Sequence, residues 1–240
     1  MYADDSRCPA AVLFDMDGTL VDSEKLWTVA ITELAAHYGG QVSPAARRAM
    51  VGTSMARSME ILHADLDQPW RDPAEGAAWL NRRVAELFAA DLPWRPGAPD
   101  LLRSVRAARI PTALVTSTVR ELVDVALDTL GRDNFDVVVC GDEVTATKPD
   151  PAPYLTAARL LGVPIGQCVA IEDSPAGVAS ALAAGAAVVA VPHEVPLDGA
   201  DGVHVRDSLV GVDLALLAEL VAGHASAPAR APQPAMNLPV

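Results

Sequence analysis

The stretch Ala11–Glu24, AVLFDMDGTLVDSE, decides the fold because four apolar residues lead directly into two closely spaced aspartates. Such a continuous apolar run is typical of a strand buried on both faces of a parallel sheet. In open α/β sheets, ligands bind beyond the carboxyl ends of the strands, which is where Asp15 and Asp17 follow. Gly18 permits a tight turn whose amide groups can face an anion. Taken alone, this pattern is equally consistent with a polar turn that only ends a strand.

Four more runs rich in aliphatic and β-branched residues follow along the chain, and most of them precede a helix-like segment. They span Ile110–Thr116, Phe135–Cys140, Cys168–Ile171 and Ala187–Val191. Strands that alternate with helices indicate βαβ units and a parallel sheet. The sequence therefore predicts the α/β class, with a doubly wound, Rossmann-like parallel sheet.

The long stretch between the first two predicted strands is helical in pattern. Apolar residues recur every four positions over 26–38, and Ser43-Pro44 has the form of a helix start. Asp72-Pro73 opens a third helix that is expected to run to about residue 90. We therefore expect an all-helical cap inserted after the first strand.

These patterns predict a division of the chain into a core, a cap and a tail. The α/β core comprises 1–21 and 92–223, and the helical cap comprises 22–91. Segment 224–240 is rich in alanine and proline with little to bury, which predicts a disordered tail.

Composition excludes several classes of protein. The 240 residues are 51% hydrophobic and 20% charged, which fits a globular protein with a real core. A net charge of -13 disfavours nucleic acid and anionic lipid as partners. No apolar run approaches the roughly 20 residues of a bilayer-spanning helix, and the acidic start lacks the basic region of a secretory signal. Three cysteines without ligand spacing indicate neither disulfides nor zinc, so we expect a reducing, cytoplasmic compartment. We also expect a monomer.

Three later motifs fall at the ends of successive predicted strands. Thr116 and Ser117 end the second strand, where hydroxyl and amide groups can hold phosphate oxygens. Lys148 follows the third strand in TKPDP and is one of only two lysines in the chain. Glu172 and Asp173 end the fourth strand, in CVAIED. Each motif alone has a plain alternative, namely a helix cap or a solvated surface lysine, but together they would line one crevice.

Carboxylates at buried strand ends are costly unless a cation or a hydrogen-bond network compensates them. Carboxylate oxygens that converge from Asp15, Asp173 and Glu172 suit Mg²⁺, which binds few protein ligands and keeps several waters. The sequence therefore predicts a magnesium site in the crevice.

The four motifs DMDGTLVDSE, VTST, TKPDP and AIEDSPAG, in this order, resemble those of the haloacid dehalogenase superfamily. The resemblance covers about residues 10–192. Within the superfamily, the inserted helices resemble the small cap of sugar-phosphate phosphatases and of β-phosphoglucomutase-like enzymes.

The resemblance implies a role for each matching residue. Asp15 would be the nucleophile that takes the phosphoryl group, and Asp17 the acid and base that protonates the leaving alcohol and then activates water. The phosphoryl oxygens would be held by the groups at the later strand ends, Thr116, Ser117 and Lys148, and by the Gly18 turn. The ligands of Mg²⁺ would be Asp15, the main-chain carbonyl of Asp17, and Asp173, with Glu172 in a supporting role.

We therefore expect an Mg²⁺-dependent phosphatase of a small phosphorylated metabolite, such as a sugar phosphate, that works through an aspartyl phosphate. A phosphosugar mutase, a haloalkanoate dehalogenase and a non-catalytic scaffold are the alternatives. Trp27, Met55 and Arg57 are candidate substrate contacts in the cap, although core packing or solvation would also explain them. In β-phosphoglucomutases a histidine stands at the position of Trp27 and an arginine at that of Met55. The apolar replacements here favour hydrolysis over mutase activity.

Overall fold

The fold is built on one parallel sheet of six strands. The computed structural model describes residues 8–50, 53–193, 197 and 202–225. Within them the strand order is β3-β2-β1-β4-β5-β6, and all neighbouring pairs are parallel. The strands are β1 (Ala11–Phe14), β2 (Thr112–Val115), β3 (Val137–Val139), β4 (Cys168–Glu172), β5 (Ala187–Ala190) and β6 (Val203–Val205). The predicted fold class, a doubly wound α/β sheet with a helical insertion, is confirmed.

Helices cover both faces of this sheet and form the insertion after β1. The insertion contains α1 (Glu24–His37), α2 (Pro44–Met50), α3 (Met55–Asp65) and α4 (Pro73–Ala90), which we call the cap. The remaining helices are α5 (Ala98–Ala107), α6 (Arg120–Leu130), α7 (Ala152–Leu161), α8 (Pro175–Ala184) and α9 (Leu214–Ala225). No helix in the described part of the chain is long and apolar enough to cross a membrane.

Local signals explain where several helices begin and end. The side chain of Asp72 accepts a hydrogen bond from the amide of Ala74 at the start of α4, as expected of a helix N-cap. Ser174 caps α8 in the same way, and Gly185 ends that helix with a left-handed backbone.

Three elements differ from the sequence-based expectation. The cap has a separate helix α3, which begins at its own N-cap, Ser54, whose side chain accepts from the amide of Arg57. β6 was not expected at all. At the other end, α9 continues to Ala225, two residues into the segment predicted to be a tail. The rest of that segment, 226–240, lies outside the described residues.

The core is buried on both faces of the sheet, as the continuous apolar strands require. Val12 and Phe14 of β1 pack into one apolar cluster, and Ala11 and Leu13 pack into the other. All four side chains are fully buried. Because side chains alternate between the two faces of a strand, β1 packs against a layer of helices on each face of the sheet.

The strand order reverses between β1 and β4, because the chain moves outward in one direction from β1 to β3 and in the other from β4 to β6. Ligands of open α/β sheets bind at such a switch point. The cap leaves and rejoins the core beside this point. There, Val21 forms an antiparallel bridge with Trp94, and the amide of Asp22 donates to the carbonyl of Pro93.

Candidate active site

Residues from four strand ends and from the cap line a single cleft that opens to solvent. The core contributes the carboxylates Asp15, Asp17 and Asp173, the hydroxyls of Thr116 and Ser117, and the ammonium of Lys148. The strand ends thus bring together side chains that are far apart in the sequence.

Lys148 makes the densest set of contacts in the cleft. Its Nζ donates to Asp15 Oδ1 at 2.6 Å, to Glu172 Oε1 at 2.6 Å and to the carbonyl of Val115 at 2.8 Å. An ammonium has three hydrogens, so these three acceptors use all of its donor capacity. Glu172 Oε1 also accepts from Tyr154 Oη at 2.6 Å. The lysine is therefore fixed in position between two buried carboxylates.

Burial dominates the electrostatics of this group. It raises the pKa of Asp15 to about 7, against the opposing effect of the positive charge on Lys148. Burial likewise raises the pKa of Asp173 well above its usual value, and repulsion from Asp15 adds to the shift. For Lys148, burial alone would lower the pKa, but the charges of Asp15 and Glu172 outweigh it and the net shift is upward. The site has more negative charge than one lysine compensates.

The donor set fits a hard divalent cation. Oxygens of Asp15, Glu172 and Asp173 lie within 4.8 Å of one another. Asp15 Oδ2 is buried and has no hydrogen-bond partner among the described residues. Both oxygens of Glu172 already accept hydrogen bonds, Oε1 from Lys148 and Tyr154, and Oε2 from the amide of Asp173 at 3.2 Å. Asp15 and Asp173 thus have carboxylate oxygens that can bind a metal, whereas both oxygens of Glu172 are occupied by hydrogen bonds from neighbouring residues.

Gly18 lies directly against this carboxylate group. Its φ is +81°, and a Cβ at this position would lie 2.1 Å from Asp173 Oδ2. Only a residue without a side chain allows the turn and the carboxylate to approach so closely.

Asp17 is held by hydroxyl and indole donors on all sides. Ser23 Oγ and Trp27 Nε1 donate to its Oδ1 at 2.6 and 3.1 Å. Thr118 Oγ1 and Thr116 Oγ1 donate to its Oδ2 at 2.8 and 3.3 Å. The two donors Ser23 and Trp27 come from the start of the cap and the two threonines from the end of β2, so Asp17 joins the cap to the core.

The three cap residues predicted to contact substrate differ in whether they line the cleft. Trp27 and Met55 line the cleft, but Trp27 is not simply an apolar replacement, because its indole N–H is a hydrogen-bond donor to Asp17. Arg57 is not among the residues that line the cleft. Its Nη1 pairs with Glu60 Oε2 at 2.9 Å along the exposed side of α3. The arginine that lines the cleft is Arg47 of α2.

Sequence reasoning missed seven polar residues that contact Asp17 or line the cap side of the cleft: Ser23, Glu24, Arg47, Thr53, Ser58, Asn81 and Thr118. Ser23, Glu24 and Thr118 stand within the quoted motifs DMDGTLVDSE and VTST, so their position was a usable signal. Arg47 and Asn81 carried no such signal, since their approach to the cleft depends on how the cap packs over the core.

Comparison with known proteins agrees with this geometry. Residues 9–185 match the family described as haloacid dehalogenase-like hydrolase. The phosphorylated carbohydrates phosphatase of Thermotoga maritima is 36% identical, over 73% of this chain and 81% of the relative. Hexitol phosphatase A of Escherichia coli is 35% identical, over 79% of this chain and 87% of the relative.

Solved structures share the fold over nearly their whole length. CbbY from Rhodobacter sphaeroides in complex with phosphate has a TM-score of 0.77 at 30% identity, and the match covers 87% of this chain and 99% of the other. A β-phosphoglucomutase from Clostridium difficile has a TM-score of 0.79 at 23% identity over 90% and 99%, which shows the fold alone. The family match covers well over half of the sequence and includes every core motif, so the chain belongs to the haloacid dehalogenase-like hydrolases.

Proposed function

We propose that this protein is an Mg²⁺-dependent phosphatase that hydrolyses a phosphomonoester of a small metabolite, a sugar or polyol phosphate, through an aspartyl phosphate on Asp15. The observation that carries the proposal is the state of the Asp15 carboxylate. One of its oxygens is fixed by Lys148, and the other is buried in the cleft without a partner among the described residues. An oriented oxygen with an open lone pair is what a carboxylate nucleophile requires.

In the first step, a carboxylate oxygen of Asp15 forms a bond to phosphorus while the bond from phosphorus to the leaving-group oxygen breaks. Asp17, protonated at this stage, gives its proton to the departing alkoxide. In the second step, Asp17 takes a proton from water, the water oxygen bonds to phosphorus, and the acyl phosphate bond breaks. Asp15 is thereby regenerated as a carboxylate, and inorganic phosphate leaves.

The other residues of the core hold the phosphoryl oxygens and balance charge. Lys148 offsets the repulsion between the nucleophile and an anionic substrate. The polar groups of Thr116 and Ser117 line the same cleft, whereas Gly18 is not among its lining residues and its own amide donates to the carbonyl of Val21 at 2.9 Å. Asp17 is kept in place by its four donors from cap and core.

Mg²⁺ would be held by Asp15, Asp173 and the main-chain carbonyl of Asp17, and Glu172 would support it indirectly through Lys148 and the amide of Asp173. When bound, the cation supplies positive charge that screens the carboxylates from the phosphate. The excess of buried negative charge around Asp15 and Asp173 supports this assignment.

The choice of substrate rests on the relatives and on the cap. Two relatives are named as phosphatases of phosphorylated carbohydrates and of hexitols. The mutase alternative is weakened because the arginine of the cap that lines the cleft is already paired with Glu24.

A phosphate-release screen tests the proposal. Purified protein is incubated with a panel of sugar and polyol monophosphates in Mg²⁺, in chelator, and as the variant Asp15→Asn. We expect free phosphate only from the wild-type protein in Mg²⁺. Conversion of β-glucose 1-phosphate to glucose 6-phosphate with little phosphate release would instead show a mutase, and release that persists in chelator would contradict the metal assignment.

A further inference from the structure

The cap side of the cleft differs from the core side in what it offers a ligand. Five polar side chains of the cap line it: Glu24, Arg47, Thr53, Ser58 and Asn81. In the geometry proposed above, the phosphoryl group occupies the core side, so these cap residues face the leaving group. The chemistry of the leaving group depends on two properties of these residues: the hydrogen-bond donors that are still free and the acceptor lone pairs that are still open.

The positive charge of Arg47 is already compensated. Its Nη2 donates to Glu24 Oε2 at 3.0 Å, and its Nε donates to Thr28 Oγ1 at 2.9 Å. Both members of the ion pair are mostly buried, with 14% and 11% of their side-chain surface exposed. The pair as a whole adds no net charge to the cap side of the cleft. A second phosphate group would therefore find no uncompensated cation among the described cap residues of the cleft.

The hydroxyl groups of Thr53 and Ser58 both donate their single hydrogen to another group of the protein. Thr53 Oγ1 donates to the carbonyl of Met50 at 2.9 Å. It also lies 2.9 Å from Ser58 Oγ. A hydroxyl has one hydrogen, so Ser58 must be the donor in the second bond. What remains on both oxygens is acceptor capacity.

Asn81 adds an acceptor that has no partner. Its Oδ1 is buried, yet it makes no hydrogen bond to any residue that the structure describes. Asn81 lies on α4, beside Leu80, and both line the cleft. A buried acceptor without a partner is unfavourable, and a ligand that supplies a hydrogen removes this cost on binding.

We propose that Asn81 and the paired Glu24 and Arg47 form a leaving-group subsite that selects an uncharged, hydroxyl-bearing leaving group and discriminates against a second phosphate. An alcohol hydroxyl brings the hydrogen that Asn81 Oδ1 lacks. A phosphate dianion brings only acceptors and negative charge, so it cannot supply the hydrogen that Asn81 Oδ1 lacks and it finds no uncompensated cation on this face. This inference rests on the proposed phosphatase function and narrows its substrate to polyhydroxylated monophosphates.

The test combines removal of the Asn81 acceptor from the enzyme with removal of one hydroxyl group from the substrate. The probes are a hexitol 6-phosphate and its monodeoxy analogues, with kcat/KM measured for the wild type and for Asn81→Leu. We expect one deoxy position to cost the wild type about tenfold, the value of one hydrogen bond, and to cost Asn81→Leu less than about twofold. Asn81→Asp keeps acceptor oxygens at this position, so it is expected to keep the wild-type dependence on that hydroxyl. Arg82→Ala, an exposed change on the same helix, is the control.

A second arm tests the charge. Glu24→Gln leaves Arg47 without its anion, so the ratio of kcat/KM for a hexitol 1,6-bisphosphate to that for the monophosphate is expected to rise by roughly tenfold. If every deoxy analogue costs the wild type and Asn81→Leu equally, or if the ratio for Glu24→Gln stays at the wild-type value, the subsite is wrong. If the wild type releases phosphate from none of these esters, the proposed function itself fails, which is a different result.

Discussion

At the scale of single residues, the shape of Lys148 matters as much as its charge. Its ammonium meets three acceptors that lie in three directions, on Asp15, Glu172 and the carbonyl of Val115. A planar guanidinium cannot direct its hydrogens in this pattern from the same point. The chain contains 16 arginines but only two lysines, and one of these two lies here.

We predict that Lys148→Arg lowers kcat by roughly a hundredfold, the size of effect usual for one electrostatic group of an active site. The physical reason is that the larger, planar head displaces Asp15 and Glu172 although the charge is kept. Steady-state hydrolysis of an aryl phosphate measures it. Lys25→Arg, at the other lysine, which is exposed and pairs with Asp22, is the matched control and should behave as the wild type. Normal kinetics for Lys148→Arg would contradict the role given to this residue.

The contacts of Trp27 differ most from the role that the sequence indicated for it. The sequence indicated an apolar replacement, yet the indole donates to Asp17 and its ring meets Phe88 of α4 edge to face. We predict that Trp27→Phe lowers kcat by about tenfold, the value of one lost hydrogen bond, because the Asp17 carboxyl loses one of the donors that hold it in position. The loss should be larger for an alkyl phosphate, whose leaving group needs the proton of Asp17, than for an aryl phosphate. Trp27→His restores a donor and should recover part of the rate, whereas equal losses for both substrates would refute a link to Asp17.

At the scale of elements, the turn after β1 joins the strand to the carboxylates of the site. We predict that Gly18→Ala lowers activity by roughly a hundredfold and weakens the response to Mg²⁺, because the added Cβ would displace the Asp173 carboxylate. Gly39→Ala is a matched control, since Gly39 has the same φ of +81° but no neighbour within 4 Å of an added Cβ. It should lose about 1 kcal/mol of stability and keep its activity. Equal losses in both variants would mean that backbone strain, not crowding of Asp173, explains the effect.

Elements with a strong local pattern could be predicted from the sequence, and elements defined by their neighbours could not. β1 and β4 are continuous apolar runs that end in acids, so both the strands and their site residues were predictable. β6 is a three-residue edge strand, Val203–Val205, with partly exposed side chains, and it lacks such a run. Helix α3 has a weak apolar face, and its start depends on the cap at Ser54. Asn81 and Arg47 reach the cleft only through the packing of the cap on the core.

At the scale of the whole molecule, the buried carboxylates link stability to pH and to metal. Burial raises the pKa of Asp15 to about 7, whereas an unfolded chain has an aspartate pKa of about 3.9. Between these values the folded protein binds the proton more tightly than the unfolded chain does. This contribution to stability is therefore complete below about pH 4 and is lost as the pH rises through about 7.

We predict that, in chelator, the free energy of unfolding of the wild type falls relative to that of Asp15→Asn as the pH rises from about 5 to about 8. Mg²⁺ should stabilise the wild type more at the higher pH, since it replaces the proton as the compensating charge. Urea denaturation at each pH, with and without Mg²⁺, measures both differences. The comparison with the variant removes the contributions of other titrating groups, such as His63, whose burial lowers its pKa. A gap between the two proteins that does not change with pH would contradict the burial argument.

The central claim is that Asp15 carries the phosphoryl group, and trapping that intermediate tests it most directly. The Asp17→Asn variant is mixed with an aryl phosphate in Mg²⁺, because such a leaving group departs without an acid while the later hydrolysis lacks its base. The reaction is quenched in acid, the protein is digested with a protease, and the masses of the peptides are measured by mass spectrometry. The account predicts the added mass of one phosphoryl group on the peptide that contains Asp15, removable by hydroxylamine. Phosphate release without any label on Asp15, or a label on another residue, would contradict it.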